Sequence, residues 1–233
     1  MLRGFSYSLC LGLTLWFPFA ADAALVPFTE HFAADASRWR DTSGTTELSW
    51  VAAGGPDGSS YVFENFNFVS TTPGATPALF RAHDAFDSSD DAFVGDWIAD
   101  GVTVFSAFVR HDAPLPLTFF TRFASSANFP GAVGLNFAPV PPNTWTEIAV
   151  GIFAGNPQFI FEGTDFATVF SNVGNLQIGM LVPDALVGAD VTVAFDLDQP
   201  AIVPEPATAA LGLLAAAILL AARRRTAATG GRR

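Results

Sequence analysis

The chain has 233 residues, with 22 Asp and Glu against 11 Arg, no lysine, and a formal net charge of −11. That sign excludes a protein that grips the nucleic-acid backbone, which needs clustered cations. A single cysteine excludes an intrachain disulfide and any cysteine-clustered metal site.

Arg3 followed by an apolar stretch over residues 9–19 and by Ala21-Asp22-Ala23 reads as a signal peptide of residues 1–23, cleaved before Ala24. Cys10 sits inside the apolar stretch behind Leu9, which is too large for a lipoprotein signal, so the thiol leaves with the peptide. Residues 24–200 form one exported domain. It holds twenty acids against Arg38, Arg40, Arg81, Arg110 and Arg122, a net of −15. Such a surface suits a soluble exported protein, a cation binder or a constituent of a hydrated matrix.

Short segments of period two follow one another along this domain. In chain order the predicted strands cover residues 47–51, 61–69, 102–109, 117–124, 145–153, 176–182 and 191–198. In the last, Val191, Val193, Phe195 and Leu197 face one way and Thr192, Asp196 and Asp198 the other. Residues 102–109 are apolar on both faces, as a central strand would be. Gly, Pro and Asn clusters at 54–58, 72–74, 139–143 and 155–157 separate the strands. No long amphipathic helix is predicted. The pattern predicts an all-β chain: a single antiparallel β-sandwich of jelly-roll type, followed by a C-terminal single-pass transmembrane helix.

The chemistry-bearing residues form no catalytic pattern. His31, His83 and His111 show no metal-ligand spacing, and no nucleophile elbow occurs. The expectation is therefore a protein without enzyme activity. Asp84, Asp87, Asp90, Asp91, Asp96 and Asp100 make an acidic stretch, either a solvated loop or a calcium loop, without the spacing of an EF-hand. Trp39, Trp50, Trp97, Trp145 and Tyr61 are either core or platforms for sugar rings.

The chain ends in Val203-Pro204-Glu205-Pro206, an apolar run over residues 207–222, and Arg223-Arg224-Arg225 within a basic tail of residues 223–233. The run is slightly short of the usual span of about 17–25 residues, and the arginines stay cytoplasmic, so the preceding domain lies outside. Residues 201–233 resemble the PEP-CTERM sorting signal of Gram-negative bacteria. The resemblance implies an exosortase as partner, the membrane as a waypoint, and delivery to the cell surface or the extracellular matrix.

A second resemblance is carried by Phe28-Thr29-Glu30-His31-Phe32 ahead of Trp39, by the 54–58 turn Gly-Gly-Pro-Asp-Gly, by Thr144-Trp145-Thr146-Glu147, and by the Phe-Asp-Leu-Asp ending at Asp198. These pieces are similar to jelly-roll carbohydrate-binding modules. The likeness implies a structural calcium ion where the first and last strands join, with Glu30, Asp57 and Asp198 as ligands. Asp196 and Asp198 share a face, so by period alone they are either solvent-facing or ligands. The leading functional expectation is a non-catalytic exported protein bound for the envelope or the extracellular polysaccharide matrix. The alternative is a carbohydrate-binding surface protein.

Overall fold

The computed structural model describes residues 26–204, which build two antiparallel sheets packed face to face. The first sheet runs in the order Ser49–Val51 (β2), Tyr61–Asn67 (β3), Thr192–Pro204 (β11), Val102–His111 (β5) and Thr146–Gly151 (β8). Phe28–Thr29 (β1) joins it beside the far half of β11, pairing Phe28 with Ile202. The second sheet runs Ala78–His83 (β4), Asn175–Met180 (β10), Phe119–Ala124 (β6), Gly131–Gly134 (β7) and Phe159–Phe161 (β9). All seven predicted strands are present.

Alternation fills the space between the sheets with aromatic rings. Val193, Phe195 and Leu197 of β11 point inward, as do Phe119 and Phe123 of β6 and Leu176, Ile178 and Met180 of β10. The Trp97 ring stands 5.2 Å from Phe123 and 6.4 Å from Phe105, and Phe123 also meets Phe170 at 5.4 Å. Rings of this size bury 150–250 Å² each, and their mutual contacts add about 0.5–1.5 kcal/mol per pair beyond that area. Phe170 belongs to a short helix, Phe166–Phe170 (α1), started by Asp165, whose carboxylate accepts from the Thr168 N–H at 2.8 Å.

β11 is the spine of the first sheet, a central strand with neighbours on both sides. β3 and then β1 line one side of it and β5 the other. Its register shifts between Asp198 and Ala201, where Pro200 has no N–H to offer and Gln199 takes a φ of 49°. The strand continues to Pro204, so residues 201–204, assigned to the tail from the sequence, are sheet residues. Val203 pairs with Val104 and Pro204 with Val102. Residues 1–23, expected to be a signal peptide, lie outside the described residues, as do Glu205, Pro206, the apolar run 207–222, Arg223, Arg224 and Arg225. Among the described residues no helix is long and apolar enough to cross a membrane.

A hairpin closes one side of the sandwich. Arg40 and Arg81 exchange backbone hydrogen bonds at 2.9 Å each, which ties the hairpin to β4, and Leu48 N–H returns to the Trp39 carbonyl at 2.9 Å. With the next residue the same chain becomes β2, at the edge of the other sheet. Trp39, fully buried, fixes the hairpin by donating from Nε1 to the Ser89 hydroxyl at 2.8 Å.

Candidate functional site

The outer face of the second sheet carries a groove of about 680 Å³. Strand period sets its lining. Because Phe119, Thr121 and Phe123 of β6 face the core, Phe120 and Arg122 face outward. Gln177 on β10 stands opposite both Arg122 on β6 and Arg81 on β4. Val133 on β7 pairs with Arg122 on one side and with Ile160 of β9 on the other. Phe120, Val133, Leu135, Ile160 and Leu181 give the groove an apolar lining, and Arg81, Arg122, Asn128, Glu162 and Gln177 supply its polar groups.

The polar groups are locked to one another. Arg122 holds Glu162 in a two-pronged ion pair, Nε to Oε1 at 2.9 Å and Nη2 to Oε2 at 2.6 Å. It also donates to the side chain and the backbone carbonyl of Asn128 at 2.7 and 2.6 Å. Asn128 sits at the tip of the β6–β7 turn with φ of 62°, and its Oδ1 further accepts from Asn175 and Gln177 at 2.9 Å each. Gly131 makes room for the pair, since a Cβ there would fall 2.6 Å from Glu162 Oε2. The result is a preorganised plate in which Gln177 Oε1 is left without a partner among the described residues.

Arg81 sits on the β4 side of the same groove. Among the described residues its side chain makes no ion pair, and its Nε is buried without a hydrogen bond. Burial pulls its pKa down from the usual arginine range, and Glu64 opposes that. Glu64 lies behind it, inside the hairpin, where Thr42 donates both its N–H, at 2.7 Å, and its hydroxyl to the carboxylate. Burial pushes the Glu64 carboxyl up to about 7. Thr42 itself lines the groove, so it separates this buried acid from the groove.

The candidate calcium ligands come from three distant segments that meet at one corner of the first sheet. Glu30 N–H donates to the Pro200 carbonyl at 3.0 Å, two residues beyond Asp198. Ser59 joins the other two, giving its N–H to Asp57 Oδ1 at 3.0 Å and its hydroxyl to Asp198 Oδ2. Asp198 is fully buried, and burial raises its pKa, with Asp57 adding to the rise. The donors are hard oxygens, the chemistry that calcium takes. Yet Glu30 Oε1 accepts from Phe32 N–H at 2.8 Å. Among the described residues no three His, Cys, Asp or Glu side chains stand together as a metal site. Two carbonyls of the neighbouring 54–58 turn are already engaged, Gly54 by Trp145 Nε1 at 2.9 Å and Gly55 by the Gly58 N–H at 3.0 Å. Asp196 is neither solvent-facing nor a ligand; it is buried against Arg110 Nε at 2.6 Å.

The remaining sequence candidates lie away from the groove. Trp39 and Trp97 are core, Trp50 covers an edge with Nε1 on the Phe32 carbonyl, and Trp145 with Tyr61 flanks Arg110 on the first sheet. None of the aromatics proposed as sugar platforms lines the groove. His111 is buried, with Nε2 donating to the Val140 carbonyl at 2.9 Å and Nδ1 accepting from Ala113 N–H, so it is neutral, and burial holds its pKa down. His83 accepts from Ala85 N–H and caps a short turn. The acidic stretch is spread out: Asp84 on His83, Asp87 and Asp90 on Arg38, Asp96 on the N–H groups of Ile98 and Ala99.

Neither a protein-family model nor a curated protein matches the chain. Among solved structures, it is similar to the family 22 carbohydrate-binding and GH10 modules of Clostridium thermocellum xylanase 10B, complexed with xylohexaose. Identity there is 17% and TM-score 0.45, over 77% of this chain but only 28% of that one. The C. thermocellum family 11 carbohydrate-binding module, complexed with a β-1,3-1,4-mixed-linked tetrasaccharide, aligns at 12% identity and TM-score 0.43, over 78% and 98% of the two chains. The L4b domain of human laminin alpha-2 aligns at 11% and 0.40, over 78% and 100%. The two packed sheets by themselves make the chain an all-β antiparallel sandwich.

Proposed function

We propose that this chain is a non-catalytic, exported polysaccharide-binding module, and that the groove on the β4–β10–β6–β7–β9 sheet holds the glycan. The observation that carries the reading is the pairing of surfaces in that groove. A sugar ring presents hydroxyls at its rim and C–H groups on its faces. The groove offers both counterparts: donors and acceptors from Arg81, Gln177 and the Arg122–Glu162 pair, and an apolar lining from Phe120, Val133, Leu135 and Ile160. Groups already fixed by their neighbours lose little freedom on binding, which is how a shallow groove gains affinity. Delivery belongs to the chain ends, a signal peptide at residues 1–23 and a sorting tail beginning at the Val203–Pro206 motif, with the cell surface or its polysaccharide matrix as destination.

The test is affinity electrophoresis of the purified chain through gels holding xylan, mixed-linked β-glucan or an acidic polysaccharide. Retardation by at least one of them is expected. Losing one charged hydrogen-bonding group costs about 1.5–3 kcal/mol, so Arg81→Ala should weaken binding on the order of 10–100-fold. Ile160→Asp, which changes only the exposed edge strand, should do the same. Migration unaffected by every polymer, or retardation that both variants keep, would remove the groove from the account.

A further inference from the structure

The end of the sandwich from which the chain leaves is apolar, and we infer that it rests on a lipid bilayer. The inference builds on reading residues 207–222 as membrane-spanning. Val203, Val104 and Gly151 form one row across β11, β5 and β8, on the outward face of the first sheet. The Phe153 ring lies over Gly151, where a Cβ would meet it at 2.8 Å. Val203 and Phe153 are therefore about two strand spacings apart, roughly 10 Å. Ile98 belongs to the same end, bordering an open depression of about 400 Å³ with Phe153 and Phe166. Ile98, Phe153 and Val203 are 45%, 54% and 40% exposed. A soluble sandwich gains nothing by holding three such side chains in water around one strand end.

Where the chain goes next identifies the occupant. Only Glu205 and Pro206 separate Pro204 from the apolar run that begins at residue 207. Three residue steps reach at most about 11 Å, close to the width of the patch itself. If residue 207 enters the hydrocarbon, Val203, Phe153 and Ile98 are held at the headgroup boundary, where bulky apolar side chains are favoured. Asp96 and Asp100 stand beside Ile98 in the sequence, and among the described residues no arginine lines the depression. The surface it fits is therefore a zwitterionic bilayer rather than an anionic one.

Full-length chain carrying Cys10→Ser and one nitroxide label, at residue 98 or 153 or at the control positions 69 or 191, would be reconstituted in phosphatidylcholine vesicles. Val69 and Val191 are exposed at the opposite end, beyond the close of β3 and before the start of β11. Labels at 98 and 153 should collide with oxygen in preference to a nickel chelate several-fold more than those at 69 and 191. Chain that sediments with vesicles but shows equal, water-like collision ratios at both ends overturns the inference and leaves the tail reading standing. Chain that stays in the supernatant overturns both. Spin–spin broadening at 98 and 153, without oxygen preference, assigns the patch to a second copy instead and also overturns it.

Discussion

Glu64→Gln should make the fold more stable above neutral pH and leave it nearly unchanged in acid. The folded chain raises this carboxyl from 4.5 to about 7, with burial as the first cause. Between those values the folded state keeps a proton that the unfolded state has released. Stability contributed by that proton is whole below pH 4.5 and is lost as pH rises through 7. At 1.36 kcal/mol per unit, the loss across the window is roughly 3 kcal/mol. Glutamine copies the protonated acid: its oxygen accepts the Thr42 N–H, and its amide donates to the Thr42 hydroxyl in place of the acid proton. Asp196 and Asp198, also raised by burial, add losses of the same sign that begin lower. His111, held low, acts in reverse and destabilises the fold as pH falls below its ordinary value near 6.5. The difference between variant and parent cancels all three. Urea unfolding of both proteins at pH 4.5, 6, 7 and 8 should show the gap open from near zero to roughly 2–3 kcal/mol, a midpoint shift of about 1–2 M. A gap that stays constant across this range would refute the account of Glu64 as a buried, proton-retaining acid.

Thr121 is fully buried and its hydroxyl has no partner among the described residues, so Thr121→Val should raise stability by about 1–3 kcal/mol in denaturant melts; a drop would mean the hydroxyl is satisfied after all. Gly179→Ala places a Cβ 2.3 Å from the Pro77 backbone carbonyl and should cost about 1–3 kcal/mol, with the bulged β4–β10 pairing yielding first in hydrogen exchange. Calcium should raise the melting temperature of the parent and not of Asp198→Asn, because Glu30 must leave Phe32 N–H to complete a shell around the buried aspartate; superimposed curves in calcium and EDTA would end that proposal. Glu205→Ala should block processing of the tail without changing its hydropathy, and unprocessed precursor should accumulate in the membrane; identical processing would leave an ordinary anchor.

The parts of the fold legible in the sequence are those with clean alternation. β11, β8 and β6 each bury one face and expose another, and their apolar residues stand two apart. β4 was illegible because Leu79 and Phe80 are both buried where its register slips opposite Gly179, so period two fails locally. β7 is Gly-Ala-Val-Gly, too weak in side chains to show a pattern, and β9 has three residues. The groove was illegible for the same reason. Its floor combines β7 and β9 with a turn residue, Asn128, whose role depends on folding back toward Asn175 and Gln177. The one signal available was Arg122, sharing a face with Thr118 on a strand otherwise rich in phenylalanine. The segments carrying Glu30, Asp57 and Asp198 do adjoin, though the three carboxylates do not gather into one cluster among the described residues. Sequence did not foresee that β11 is central, which is why its aspartates are buried.

The arginines say where a ligand would find an unsatisfied charge. Arg38 is spent on Asp87 and Asp90, Arg110 on Asp196 between Tyr61 and Trp145, and Arg122 on Glu162. Arg40 lies over the Phe86 ring and donates to the Thr45 carbonyl. Arg81 alone has neither ion pair nor side-chain hydrogen bond among the described residues. A domain with a net charge of −15 could satisfy this cation by shifting an aspartate, yet the acids that act on it are Glu64 and Asp41, and Glu64, whose pKa burial pushes up to about 7, gives its oxygens to Thr42. An uncommitted guanidinium with a buried Nε is costly to leave idle. Its place in the groove, across Gln177 from the Arg122–Glu162 pair, is the reason Arg81 rather than any tryptophan is the residue on which glycan binding should depend.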